Sequence, residues 1–345
     1  MCNRKTKYPA NIAGFVLYGI HTCIINKLIF ITFKCTKGCN AMKEIKFTAR
    51  DGKKLICSLW DDAPRPVGVV QIIHGMDEHV MRYDRFAKFL NKHGYIVFGD
   101  DHRAHGRTAG DTKNIGKPNG EYDLFSATAD DEIAITKYLR RKYKLPVLLF
   151  GHSYGSFITQ RIIQEPDLAT AGVCLSGSAK YPLALLAPMA TTAFIGMKLF
   201  GPDAPARFLE YFSPIRGRTM RGDSRLTRDT VQVAAHDADP MRAQYFSYGF
   251  YYSLFKNLIK LSGYANPELP MLIISGGRDM VSLNGRFANS LYRMYRAGGV
   301  ENLTLIIYPG ARHELLMETN FAQVQRDVLK FFNSVVRTNR QKSAE

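Results

Sequence analysis

A serine hydroxyl is a useful nucleophile only when it is exposed, rigidly held and close to a base. Gly151-His152-Ser153-Tyr154-Gly155 offers such a serine. The apolar run Val147–Phe150 precedes it and the helical pattern Tyr154–Gln164 follows, so Ser153 falls at a strand-to-helix turn. A turn of this kind strains the serine backbone and projects its side chain, while the flanking glycines leave room for neighbouring chain. The helix behind it offers unpaired N–H groups and a partial positive charge to a developing oxyanion. An orienting acid and a base are expected further along, in that order. Asp279 lies just past the strand-like Met271–Ser275, and His313 just past Leu303–Tyr308. Parallel strands share their carboxyl edge, so both loops open where the serine turn does. His313 is then the expected general base, and Asp279 the group that fixes its tautomer. The oxyanion hole needs two amides. The expected pair is the N–H of Tyr154 and, in the loop after Val67–His74, that of Met76.

The elements that must position these groups alternate along the chain. Lys43–Thr48 and Leu55–Trp60 flank Asp51-Gly52 and read as a hairpin. Val67–His74, Tyr95–Gly99, Val147–Phe150, Gly172–Ser176, Met271–Ser275 and Leu303–Tyr308 read as buried strands. Helical spacing lies between them at 83–92, 125–142, 154–164, 285–296 and 321–337. Eight strands alternating with helices predict an α/β fold, a mostly parallel sheet with helices on both faces. The alternation stops over 181–265, which divides the core into 42–180 and 266–345. That insertion holds an apolar helix at Leu183–Phe200 and an Arg-rich stretch (Arg207, Arg216, Arg218, Arg221, Arg225, Arg228). An aromatic cluster from Tyr245 to Phe255 follows. It is expected to cap the strand ends and to supply the substrate contacts, most of its aromatics forming its own core.

Composition bounds the rest. The chain has 345 residues, of which 46% are hydrophobic and 22% charged, ordinary values for a globular protein. The formal charge of +17 favours anionic partners such as a phospholipid surface. Nucleic acid is not expected, because no zinc-finger spacing, basic heptad region or RNP-like motif occurs. Cys57 and Cys174 are the only cysteines after residue 41, which gives no disulfide framework and points to a reducing compartment, the cytoplasm, with membrane association left open. Residues 1–41 carry Arg4, Lys5, Lys7, Lys27, Lys34 and Lys37 and no acidic residue. Ile12–Phe33 is long enough to span a bilayer but is interrupted by His21, Asn26 and Lys27. Three readings stand for this segment: a weak anchor, a poorly ordered tail, or an over-extended start with Met42 beginning the functional protein. The last is favoured. His74, His102, His105 and His152 fit no zinc spacing and are expected to be buried hydrogen-bonding residues; no metal and no cofactor are implied. Glu78 and His79 are expected to form a structural pair, and the Arg run 216–228 a solvated face.

The sequence resembles monoacylglycerol lipases and bacterial lysophospholipases of the α/β-hydrolase superfamily, in the group that includes the serine aminopeptidase S33-type hydrolases. The residues that carry the likeness span about 42–337. They are His74-Gly75-Met76-Asp77-Glu78-His79 with Arg82-Tyr83, Asp101-His102-Arg103-Ala104-His105-Gly106, the Gly-His-Ser-Tyr-Gly turn, Gly277-Arg278-Asp279, and Ala311-Arg312-His313-Glu314. Ala104 stands where the family has glycine. The resemblance implies an α/β-hydrolase fold and a carboxylic ester hydrolase acting on a small single-acyl ester, a monoacylglycerol or a lysophospholipid. It carries the family's nucleophile, acid and base onto Ser153, Asp279 and His313, and its oxyanion amides onto Met76 and Tyr154. Two rivals remain open: a peptidase of the same fold, resembling proline iminopeptidases, and a non-catalytic ligand-binding protein. Head group, acyl length and oligomeric state are not legible.

Overall fold

The structure is a computed structural model that describes residues 32–33, 42–121, 123–168, 170–213 and 223–342. The remainder of 1–41, and Arg216, Arg218 and Arg221 of the Arg-rich stretch, lie outside the described residues.

All eight expected strands form: β2 (Lys43–Thr48), β3 (Lys54–Trp60), β4 (Gly68–Ile73), β5 (Tyr95–Asp100), β6 (Val147–His152), β7 (Gly172–Ser176), β8 (Met271–Gly276) and β9 (Leu303–Tyr308). A two-residue strand that the sequence pattern does not announce, β1 (Thr32–Phe33), pairs Phe33 with Ile45 at one edge. The order is β1-β2-β3-β5-β4-β6-β7-β8-β9. The first strands pair antiparallel, and from β5 to β9 every pairing is parallel. The six strands β4 to β9 therefore all present their carboxyl ends at the same edge.

Side chains alternate across a strand, so each strand feeds two cores. Val69, Ile73, Leu149, Val173 and Ile273 join one core with helices α2 (Leu124–Tyr143), α3 (Tyr154–Ile162) and α8 (Arg286–Ala297). Val70, Ile72, Leu148, Phe150, Cys174 and Ile274 join the other, with α1 (Asp84–Lys92) and α9 (Phe321–Lys342). Cys57 and Cys174 are free and buried. Between β7 and β8 the chain forms α4 (Leu183–Phe200), α5 (Arg207–Tyr211), α6 (Thr230–Asp237) and α7 (Tyr248–Lys260). α4 packs on α7, where Gly196 leaves space that a Cβ would take from the Tyr248 ring. Only Leu186, Ala193 and Gly196 of α4 are buried, so most of this apolar helix faces outward. Phe246 and Phe250 are buried within the insertion, as an internal core requires. Ala104 adopts φ 60°, a left-handed conformation that costs a side-chain-bearing residue about 1–2 kcal/mol. The turn that glycine would make is kept all the same.

Candidate active site

Ser153 sits between β6 and α3 with φ 51° and ψ −118°, a strained conformation for a residue with a side chain. Its N–H donates to the Ser176 carbonyl at 2.9 Å, tying the turn to β7. Gly155 lets α3 begin against the end of β4: a Cβ there would collide with the carbonyls of Ile73 and His74. β8 ends at Gly276 and delivers Asp279; β9 ends at Tyr308 and delivers His313. His313 Nε2 lies 2.8 Å from Ser153 Oγ, and His313 Nδ1 lies 3.0 Å from Asp279 Oδ1. Asp279 Oδ1 also accepts the Val281 N–H at 2.8 Å, which fixes the carboxylate. All three side chains are buried.

The electrostatics separate the histidines. Burial works against protonating His313, but the Asp279 carboxylate and its hydrogen bond outweigh this and hold the imidazole above its ordinary pKa. Burial works against ionising Asp279, and His313 in turn keeps its carboxyl below the usual range. His152, with its ring centroid 4.8 Å from that of His313, is pushed down to about 3 by burial and by His313. It stays neutral and does not compete as a base.

Ser153 opens into a cavity of about 250 Å³. Met76 and Tyr154 line it beside Ser153, and the Tyr154 amide is the first of α3, where a helix has no internal acceptor to offer. The rest of the lining is almost wholly apolar. Leu185, Leu186 and Met189 come from α4, Leu209 from α5, and Tyr251, Leu254, Phe255 and Leu258 from α7. Among the described residues no carboxylate lines it. Residues of 181–265 make up most of this lining, and Phe157, Met280, Val281, Leu283 and Phe287 add to it from outside that range. Met280 and Val281 directly follow Asp279, a neighbourhood that marks them in hindsight; Phe157 and Phe287 carry no such signal.

Two polar expectations need correcting. Glu78 does not pair with His79: Glu78 accepts the Gly75 N–H and the Tyr83 hydroxyl and faces Arg82, whereas His79 meets Asp239 at 2.8 Å. Adjacent residues in this loop project to different sides. The Arg run is not simply solvated either. Arg225 donates to the Ser213 carbonyl and Arg228 to Glu318 and Asn320. His74, His102, His105 and His152 are buried, as expected. Arg82 reaches Glu314 through both guanidinium nitrogens, at 2.7 and 2.8 Å. That link ties the loop after β4 to the loop carrying His313.

A parallel sheet that delivers serine, acid and base from three strand ends, with a helical insertion over them, defines an α/β-hydrolase. Residues 64–320 match the family described as serine aminopeptidase, S33, and the chain belongs to that family. It is similar to a monoglyceride lipase homolog of Monkeypox virus, 27% identical over 81% of this chain and 93% of that one. It is also similar to monoglyceride lipase of Rattus norvegicus, 25% identical over 83% of this chain and 88% of that one. Among solved structures, a lipase in an open form aligns with a TM-score of 0.75 and 26% identity, covering 86% of this chain and 99% of that one.

Proposed function

We propose that this chain is a carboxylic ester hydrolase that cleaves single-acyl lipids, a monoacylglycerol or lysophospholipid, through an acyl-enzyme on Ser153. One observation carries the reading: a continuous Ser153–His313–Asp279 hydrogen-bond chain opens directly into an apolar cavity. Ser153 Oγ attacks the ester carbonyl carbon as its proton passes to His313 Nε2. The carbonyl oxygen, now an anion, accepts hydrogen bonds from the Met76 and Tyr154 amides. Collapse expels the alcohol, which takes the proton from His313. Water then repeats the sequence and releases the fatty acid. The similarity to monoglyceride lipases supports the substrate class. The absence of a carboxylate from the described cavity lining disfavours recognition of a free amine, as an aminopeptidase would need.

A lipid surface is the source of the substrate. α4 exposes Leu183, Leu185, Phe194, Ile195, Leu199 and Phe200, and α5 exposes Phe208 and Tyr211. An apolar face of this extent suits an interfacial helix. Among the described residues α4 is also the one helix long and apolar enough to cross a membrane, with 22% of its span buried. The charge of +17 adds attraction to anionic headgroups.

The test is labelling with a fluorophosphonate followed by turnover of p-nitrophenyl esters. The wild type labels and turns over, and Ser153→Ala does neither. Full turnover by Ser153→Ala would end this reading.

A further inference from the structure

Next to the active site, but outside the hydrogen-bond chain of Ser153, lies a fully buried group of ionisable side chains: Asp100, His102 and Glu132, with His74 stacked on His102. The rings of His74 and His102 lie 3.8 Å apart at 14°. The hydrogen bonds fix the protons on both. The His102 backbone N–H can only donate, and it donates to His74 Nε2 at 3.0 Å. His74 Nε2 therefore keeps its lone pair. A neutral His74 then carries its proton on Nδ1, which lies 2.8 Å from the Gly75 carbonyl and donates to it. Burial and the neighbouring His102 both hold His74 well below its ordinary pKa, so it is neutral.

His102 is the opposite case. Its Nε2 lies 3.1 Å from the His74 carbonyl, which can only accept. Its Nδ1 lies 3.1 Å from Asp100 Oδ1 and 3.1 Å from Glu132 Oε1. Both ring nitrogens thus face acceptors. Asp100 Oδ2 and Glu132 Oε1 are buried and make no well-aligned hydrogen bond. The two carboxyls gather with His102 so that one oxygen of each lies within 4.8 Å of the other, close enough for a single proton to be held between the two groups. Glu132 Oε2 accepts from Gln71 Nε2 at 2.5 Å.

We propose that His102 is a positioning residue of the oxyanion hole: an imidazolium, held by the Asp100–Glu132 carboxyl pair sharing one proton, that fixes the backbone of His74, Gly75 and Met76 and so aims the Met76 amide. The proposal rests on the reading of Met76 as an oxyanion donor. In a trans peptide the N–H and the C=O lie in one plane and point in opposite directions, and no peptide here is cis. Fixing the Gly75 carbonyl through His74 Nδ1 therefore fixes the direction of the Met76 N–H. The preceding peptide is pinned at both ends, its carbonyl by His102 Nε2 and its Gly75 N–H by Glu78 Oε1. The charges agree with this. Burial opposes protonation of His102, but the Asp100 carboxylate and the hydrogen bonds to both acids raise it well above the ordinary value. Burial and the Asp100 charge push the Glu132 carboxyl up, and His102 keeps Asp100 ionised despite its burial. The arrangement resembles the catalytic acid–base pair in its chemistry, but its product is a fixed amide rather than a moved proton.

The experiment compares wild type, Glu132→Gln and the double variant Asp100→Asn/Glu132→Gln. Glutamine keeps a donor where Glu132 carries its proton, so the single variant should lose only a few-fold in kcat. The double variant removes the negative charge and leaves His102 neutral. Its kcat on p-nitrophenyl butyrate should fall about 100-fold, the usual scale for losing one oxyanion donor, with KM little changed. Affinity for a trifluoromethyl ketone, which binds as an oxyanion, should fall in proportion. Imidazole 15N spectra of wild type should show both His102 nitrogens protonated at about pH 8, well above the ordinary imidazole pKa. An unprotonated His102 nitrogen there, an unchanged kcat in the folded double variant, or a stoichiometric metal in the purified protein would each overturn the proposal. The 15N spectrum decides it even where the double variant does not fold. Failure of the ester-hydrolase reading shows separately, as wild type that neither labels with a fluorophosphonate nor turns over esters.

Discussion

At the residue scale, the proposed mechanism assigns the pH dependence of the reaction to His313. The base must be unprotonated in the free enzyme, and Asp279 stabilises its protonated form. A raised pKa moves the acid limb of kcat/KM upward, so half-maximal activity should lie above the ordinary imidazole value of about 6.5. In Asp279→Asn the carboxylate no longer supports the imidazolium, while burial still opposes it. The limb should therefore move to lower pH as kcat falls on the order of 10⁴-fold, since an amide donor also favours the wrong tautomer. A pH–rate profile of the two proteins checks both the direction and the loss. An acid limb that stays in place would mean that another group titrates. Ser153, Asp279 and His313 were legible in the sequence because each sits at the end of a recognisable apolar strand. The Arg82–Glu314 pair was not, because its partners lie 232 residues apart and no local pattern links them.

At the element scale, Arg82 is, among the described residues, the only cation shared by two buried acids on different loops, Glu78 after β4 and Glu314 beside His313. Burial alone would raise Glu314, but Arg82 brings it down to about 2. Stability from this pair is present above the unfolded carboxyl pKa of about 4.5 and lost as pH falls toward 2. Arg82→Leu leaves two buried carboxyls without their cation, a loss of about 3–5 kcal/mol. Their pKa values then rise, so the damage should grow between about pH 5 and pH 8, opposite to the acid sensitivity of the wild type. Urea melts of both proteins at the two pH values measure it; equal losses at both would show that Glu314 was never ionised. The ends of α4 were readable because Pro182 and Gly201 bound a mostly apolar run, broken only by Thr191, Thr192 and Lys198. Its orientation was not. A helix that is apolar over most of its surface suits a core or a lipid phase equally well, and only the packing on α7 shows which face is left open. If that face meets lipid, Leu199→Glu/Phe200→Glu should cut sedimentation with anionic vesicles at least ten-fold, and turnover of a water-soluble ester should hold to within two-fold. Both side chains are exposed and neither lines the cavity, so an equal loss in the two assays would point to a folding defect instead.

At the scale of the whole molecule, the proposed function assigns chemistry to the sheet and selectivity to the insertion. On that proposal the strand ends fix the reacting atoms whatever ester arrives, whereas α4, α5 and α7, which line the cavity, set how much acyl chain can leave water. Each methylene moved into an apolar cavity contributes about 0.8 kcal/mol. If that contact is kept in the transition state, kcat/KM should rise about four-fold per added methylene. The rise must stop when the chain fills the cavity of about 250 Å³, and longer chains should then give a plateau. A second acyl chain has no equivalent cavity among the described residues beside Ser153, so a diacylglycerol should be cleaved at least ten-fold more slowly than the monoacylglycerol of the same chain. Measuring kcat/KM along a monoacylglycerol series below its critical micelle concentrations, with one matched diacylglycerol, tests both. Highest activity on acetyl esters, or equal rates for one chain and two, would mean that the cavity does not hold the acyl chain and that the insertion selects for something else.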